Sequence, residues 1–384
     1  MALASHAAAA VVAFLFAASG PVAIVLSVGA RGGLAEADIA SWIFAAFVLN
    51  SAISAGFSLV YRQPLVFLWS IPGSVLVGPA LGHLSFAEVI GAFLATGVLM
   101  LLLGLSGWVR RAMEALPMPI VMAMVAGVFL RFGVDLVLAF RDALWIALPM
   151  TLAFVACHFA KRIPPLIAAL VVGAIAIGLL GAFNAPAGTL FALAAPNFYV
   201  PRFSWAAMVE LVVPLAVTVL AVQNAQGIAI LTSNGHKPPV DAITMACGVG
   251  SIVTGFFGAV STCLTGPVNA VLSGSGEKHR QYIGALVFCF FCLVFGLLAP
   301  FFTRVLLATP PAFIATLAGL AMLRVLQTAF AASFGGRFSF GALVCFLVTV
   351  ADVPILHIGA PFWGLVFGLL VSLTLERDNR PQRN

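Results

Sequence analysis

Charge is what this chain has least of. Of its 384 residues only 12 are Asp or Glu and 18 are Lys or Arg, so charged side chains make up 8%, where a soluble domain carries roughly 25%. Apolar residues reach 63%. A soluble monomer must still cover itself with polar groups, so a soluble enzyme, a nucleic-acid binder and a disordered chain are excluded. The net charge of +6 does not restore a nucleic-acid reading, because the basic residues are scattered rather than clustered. Catalytic constellations are missing too. No HExxH, nucleophile–base pair or aspartate pair for a metal occurs, and His6, His83, His158, His236, His279 and His357 stand isolated along the chain. Neither an enzyme nor a metal or other cofactor is expected. The six cysteines lie inside apolar runs without metal-ligand spacing, Cys289 and Cys292 included. They read as small packing residues, not disulfides.

What is present is hydrophobic length. A bilayer core of ~30 Å needs about 20 residues of helix. Runs of this kind cover 8–29, 39–60, 86–106, 117–134, 143–160, 165–182, 205–232, 239–259, 281–302, 311–331, 338–352 and 357–375. The first continues through Val28 with no Lys or Arg before it, which reads as a retained span and not a signal peptide. Two shorter apolar stretches, 66–82 and 260–274, are broken by proline and glycine; counting them gives fourteen crossings.

The basic residues support that count. With both termini inside, inner loops hold Arg62, Arg110, Arg111, Lys161, Arg162, Lys237, Lys278, Arg280, Arg337, Arg377, Arg380 and Arg383, and outer loops hold Arg31, Arg141, Arg202 and Arg304. That is the asymmetry of a multi-pass protein of the bacterial inner membrane with cytoplasmic termini. The longest connection, 183–204, lies outside and separates seven spans (1–182) from seven more (205–376), followed by a tail, 377–384. Seven is odd, so the second half enters the membrane inverted. The broken segment is the third element of each half, the footprint of an inverted-repeat transporter.

The first break reads Trp69-Ser70-Ile71-Pro72-Gly73-Ser74, the second Thr262-Cys263-Leu264-Thr265-Gly266-Pro267. Each sets a hydroxyl residue two positions before a proline. Proline suits the first turn of a helix, and the hydroxyl can cap its free N–H groups; the residue before proline favours extended backbone. Each break therefore reads as an extended stretch leading into a half-helix, the first over 73–82. Open backbone at that depth needs protein or a polar cavity around it. The positive helix ends are then expected to face each other near the midplane.

These residues resemble the benzoate/proton symporters, over nearly the whole chain. The likeness runs through Tyr61-Arg62-Gln63-Pro64, Trp69 to Gly73, Ala126-Gly127, Leu130-Arg131-Phe132-Gly133, Gln223-Asn224-Ala225-Gln226-Gly227, Phe257-Gly258, Cys263, Phe346 to Thr349 and Ile358 to Leu365. Where the family has Ser-Thr-Pro-Gly-Ala this chain has Ser70-Ile71-Pro72-Gly73-Ser74. After Cys263 it has Thr265-Gly266-Pro267-Val268-Asn269 in place of alanine, isoleucine and threonine. The resemblance, shared with nucleobase–cation and sulfate transporters, implies an all-helical seven-plus-seven inverted repeat. Spans 1–4 and 8–11 would form a substrate-carrying core, and spans 5–7 and 12–14 a gate domain that pairs into a homodimer. It implies proton symport of a small organic anion such as benzoate; a passive anion channel or an anion exchanger is the alternative.

Intramembrane polar groups are costly and often functional. The expected substrate contacts are Ser70, Gly73, Ser74, Gln223, Asn224, Thr265 and Gly266. Arg131 reads as snorkelling to the interface, with Asp135 as its partner. No Asp or Glu sits in the middle of span 8 or 10. The proton carriers on offer are Glu210, placed toward the outer side of span 8, Asp352 and His357, with His158 besides.

Overall fold

Proline and glycine decide where the apolar runs become separate helices. The computed structural model describes residues 2–109, 117–160, 163–184, 191–356 and 358–376. Arg110, Arg111, Lys161, Arg162, His357 and the tail 377–384 lie outside the described residues. The first run splits into α1 (Ala2–Ala18) and α2 (Gly20–Arg31), because Pro21 stands in the first turn of α2 and has no N–H to give. Helix α3 (Glu36–Tyr61) stops at Arg62, whose φ is +53°. Strand β1 (Phe67–Trp69) follows, then α4 (Ile71–Ala80). Helix α5 (Phe86–Ser106) opens on a capping box of Ser85 and Glu88 and closes at Gly107, φ +67°. Helices α6 (Met118–Asp142), α7 (Leu144–Ala160) and α8 (Pro165–Leu180) complete this half.

The second half repeats the order. It runs α9 (Trp205–Ser233), α10 (Val240–Gly255), β2 (Thr262–Leu264), α11 (Gly266–Ser273) and α12 (Gln281–Leu297). A short α13 (Ala299–Leu307) precedes α14 (Pro311–Phe334), α15 (Ser339–Ala351) and α16 (Ala360–Leu375). Among the described residues seven helical stretches are long and apolar enough to cross a membrane, and six further apolar helices are shorter.

The helices pack in two sets. In one, α5 lies along α10, α1 and α3 along α12, and α9 along α4, β2 and α11; in the other, α6 lies along α14 and α15, α15 along α16, and α7 along α8. The sets meet where α2 lies on α14 and α4 on α6. Lipid gives apolar helices no reason to prefer each other, so close contact depends on small residues. A side chain at Gly248 of α10 would sit 2.6 Å from the Leu101 nitrogen of α5, and one at Gly319 of α14 2.6 Å from Leu136 Cβ of α6.

The stretch 191–204 is pinned across one end of the bundle. Backbone N–H groups of Ala194, Tyr199 and Arg202 donate to carbonyls of Leu297, Phe256 and Ala87. The Tyr199 hydroxyl donates to Asp38. Burial first, and that bond second, push the Tyr199 phenol well above its ordinary pKa.

Candidate substrate site

The two extended stretches find each other. β1 and β2 pair antiparallel with Phe67 opposite Leu264, Leu68 opposite Cys263 and Trp69 opposite Thr262. Ser70 N–H donates to Ser261 O at 2.9 Å and Thr265 N–H to Val66 O at 3.1 Å, lengthening the ladder at both ends. A two-stranded ladder has two bare edges, and at this depth each unpaired backbone group costs several kcal/mol. Side chains close both edges. On the β1 side, Ser54 Oγ accepts from Phe67 N–H at 2.8 Å and Ser58 Oγ from Leu65 N–H at 3.2 Å. On the β2 side, Ser251 Oγ accepts from Thr262 N–H at 2.9 Å and Asn224 Oδ1 from Leu264 N–H at 2.8 Å. Thr262 Oγ1 donates to Asn50 Oδ1 at 2.8 Å. Asn269 joins the halves: its Oδ1 accepts from Val66 N–H at 3.0 Å, and its Nδ2 donates to Val66 O at 3.0 Å and Thr265 O at 2.8 Å.

A half-helix leaves each end of this ladder. α4 has 10 residues and α11 has 8, about 15 and 12 Å. Their N-termini differ. At α4, Ser70 Oγ accepts from Gly73 N–H at 3.1 Å, and Ser74 Oγ donates to Ser70 O at 3.1 Å. Both serines are fully buried, and a Cβ on Gly73 would meet Leu215 and Ser70 at 3.1 Å. This end is capped and covered. At α11 the expected cap is not made: the Thr265 hydroxyl takes no hydrogen bond from its helix, nor any other bond among the described residues. Gln226 stands over this end, its Oε1 2.5 Å from where a Gly266 Cβ would lie. Gln223, three residues earlier on the same face of α9, is buried, and its amide has no partner among the described residues.

The structure thus sorts the residues singled out in the sequence. Thr265 and Gly266 meet Gln226 at an open helix end, and Gln223 lies three residues before Gln226 on α9. Ser70, Gly73 and Ser74 form the capped end across the ladder. Asn224 is used differently from expectation: its Oδ1 holds β2, and its Nδ2 donates to Cys247 Sγ at 3.4 Å. Gln226 went unnoticed as a site residue, although its spacing from Gln223 was the available signal. So did the row Asn50, Ser54 and Ser58, polar at every fourth position of α3.

Two backbone distortions accompany these roles. α9 carries π-helical turns at Met208–Val212 and Thr218–Asn224, of the kind that gathers at functional sites. The first holds Glu210, which is buried. His83 is not isolated: its Nε2 lies 2.8 Å from Glu210 Oε2. A Cβ on Gly359, just before α16, would collide with this carboxylate, so Glu210 sits where the two helix sets touch. His158 is exposed on α7, stacked edge-on with Phe159.

The expected pairing of Arg131 with Asp135 is not made. Asp135 pairs with Arg31 of α2 at 2.7 Å, leaving Arg131 without an ion-pair partner among the described residues. Both arginines, Asp135 and Asp352 line a cavity of about 530 Å³ between the helix sets.

Half-helices pair through a buried ladder inside a bundle of apolar helices, a fold found in solved membrane transporters. The transmembrane domain of the cyanobacterial bicarbonate transporter BicA is similar, at TM-score 0.60 and 15% identity over 94% of this chain and 97% of that one. So is the murine anion transporter Slc26a9 in its inward-facing state, at TM-score 0.66 and 14% identity over 98% of this chain and 69% of that one. At such identity the likeness is one of fold. The chain belongs to the benzoate membrane transport protein family, whose profile matches residues 2–374. It is similar to the inner membrane protein YdcO of Escherichia coli, at 29% identity over 93% of each chain. It is also similar to the benzoate membrane transport protein of Acinetobacter baylyi, at 26% identity over 94% of this chain and 93% of that one.

Proposed function

We propose that this protein imports a small aromatic monocarboxylate, benzoate or a near analogue, by proton symport with alternating access. The observation that carries the reading is the open N-terminus of α11, where the Thr265 hydroxyl caps nothing and the Gln226 amide stands over the helix end, with the buried Gln223 amide three residues earlier on α9. A helix end offers an anion about 0.3–2 kcal/mol, and charge-assisted hydrogen bonds about 1.5–3 kcal/mol each. Micromolar affinity needs about 8 kcal/mol, which a few such bonds and a buried ring at about 25 cal/mol per Å² supply. No Arg or Lys is required. Ser70, Gly73 and Ser74 present the second positive end across the ladder, and Asn224 serves by holding β2. Glu210, with His83, carries the proton; Asp352 lines the cavity between the helix sets.

The same reading divides the chain into repeats at 1–182 and 205–376 around an external linker, 183–204, with fourteen crossings and a cytoplasmic tail, 377–384. The separate packing of α6–α8 with α14–α16 supports a gate domain, which would also be the dimerising surface. On a cysteine-free background, Lys278→Cys is expected to react with an impermeant maleimide only from the cytoplasmic side. Labelling only from the periplasmic side would overturn the fourteen-span topology.

Purified protein in liposomes tests the function. Labelled benzoate is expected to accumulate only under an inward proton gradient. Gln223→Ala is expected to raise the half-saturation concentration about tenfold, the worth of one charge-assisted bond, and uncharged benzamide to compete poorly. Equal competition by benzamide and benzoate at neutral pH would sink the anion site. Among the described residues the side chains that bond the ladder are serine, threonine and asparagine, neutral groups that suit a second reading, an anion exchanger or passive channel; counterflow or leak indifferent to the pH gradient would establish it.

A further inference from the structure

The cavity between the helix sets holds a charge arrangement with a use. Its volume of about 530 Å³ lies inside the ~300–1,000 Å³ range of small-molecule sites. One wall comes from α2 and α4, the other from α6, α15 and the start of α16. Val75, one of its lining residues, is two residues beyond Gly73, about 3 Å along the helix axis. Four charged residues line it. Arg31 and Asp135 neutralise each other across the gap between α2 and α6. Arg131 and Asp352 have no ion-pair partner among the described residues. The rest of the lining is largely apolar, with Val28, Val75 and Val128 contributing.

We propose that this cavity is a docking site where an aromatic monocarboxylate waits before reaching the half-helix ends. Arg131 takes the carboxylate through its guanidinium fork, and the valine walls take the ring. Asp352 repels a second negative charge, so the site accepts monoanions and rejects dicarboxylates. Arg131 therefore serves the path of the substrate and not the membrane interface. The substrate class rests on the function proposed above, but occupancy of the cavity is measurable without transport.

The test uses Val134→Cys on a cysteine-free background of the full chain. Val134 lines the cavity one turn from Arg131 and is 48% exposed. Benzoate at about ten times its dissociation constant is expected to slow maleimide labelling of this cysteine about tenfold, by occupancy. Arg131→Gln should abolish the protection, and Arg131→Lys should restore part of it. Phthalate, the dianion, should protect only when Asp352→Asn is present. In liposomes, Arg131→Gln should raise half-saturation for substrate supplied from the cavity side and leave the opposite side unchanged. Transport without protection at Val134→Cys would overturn the docking site and leave the function standing. Protection without transport would uphold the docking site and overturn the function. Protection that survives Arg131→Gln would remove Arg131 from the proposal and so defeat it.

Discussion

With Glu210 changed to glutamine, the protein in liposomes is expected to exchange substrate at close to the original rate while failing to accumulate it under a proton gradient. Glu210 is 4% exposed and bonded to His83 at 2.8 Å. An isolated buried carboxylate is costly. Holding one proton between them, Glu210 and His83 are neutral overall, and the buried Glu210 carboxylate can stay where the helix sets touch, with His83 exposed beside it. Without that proton the pair carries a net negative charge there, which opposes any movement that keeps it dry. Glutamine at 210 is neutral at every pH, so movement no longer requires the proton. His83→Asn separates this from simple damage, since it leaves the carboxylate alone and should slow exchange itself. Undiminished gradient-driven accumulation by Glu210→Gln would remove the pair from the coupling mechanism.

Asn269→Ala is expected to cost about 3–5 kcal/mol, near the upper end for one substitution. Its amide makes three buried hydrogen bonds, two of them to the backbone of Val66 in the opposite half. Alanine would leave the Val66 N–H unsatisfied, at about 1–3 kcal/mol, and take one of two bonds from each of the Val66 and Thr265 carbonyls, at about 0.5–1.5 kcal/mol apiece; both carbonyls keep a backbone N–H donor. The measurement is the thermal midpoint in detergent together with uptake: both should fall, whereas Gln223→Ala should leave the midpoint unchanged. A wild-type midpoint for Asn269→Ala would mean that the ladder does not depend on this side chain.

These two residues mark the limit of what the sequence makes legible. Hydrophobic length, the basic-residue asymmetry and the proline breaks are local signals, and they indicate the apolar spans and both half-helices. Ser70 is legible as a cap because hydroxyl and proline lie within one turn. Thr265 shows the same local pattern and makes no cap. What escapes is everything joined across the chain: 203 residues separate Val66 from Asn269, and 127 separate His83 from Glu210. Asn269 is visible in the sequence only as a departure from the resembled family's pattern, and its bond to Val66 gives the departure a structural role. The π-helical turns leave no sign in the apolar pattern. Asn224 sits in the motif that suggests ligand contact, yet holds the strand beside it, because a buried amide satisfies backbone and ligand by the same chemistry.

The ladder also bears on how the protein is made. Phe67, Leu68 and Trp69 pair with Leu264, Cys263 and Thr262, which leave the ribosome 197, 195 and 193 positions later. At ~5–20 residues per second, that is a delay of about 10–40 s. Throughout it, the first half holds a strand whose backbone groups along one edge have no partner and cannot be left in lipid. The third segment of the first half therefore stays in a wet or sheltered place until the second half arrives. A half made alone keeps its strand edge unpaired, so each half completes its ladder only when the other is in place.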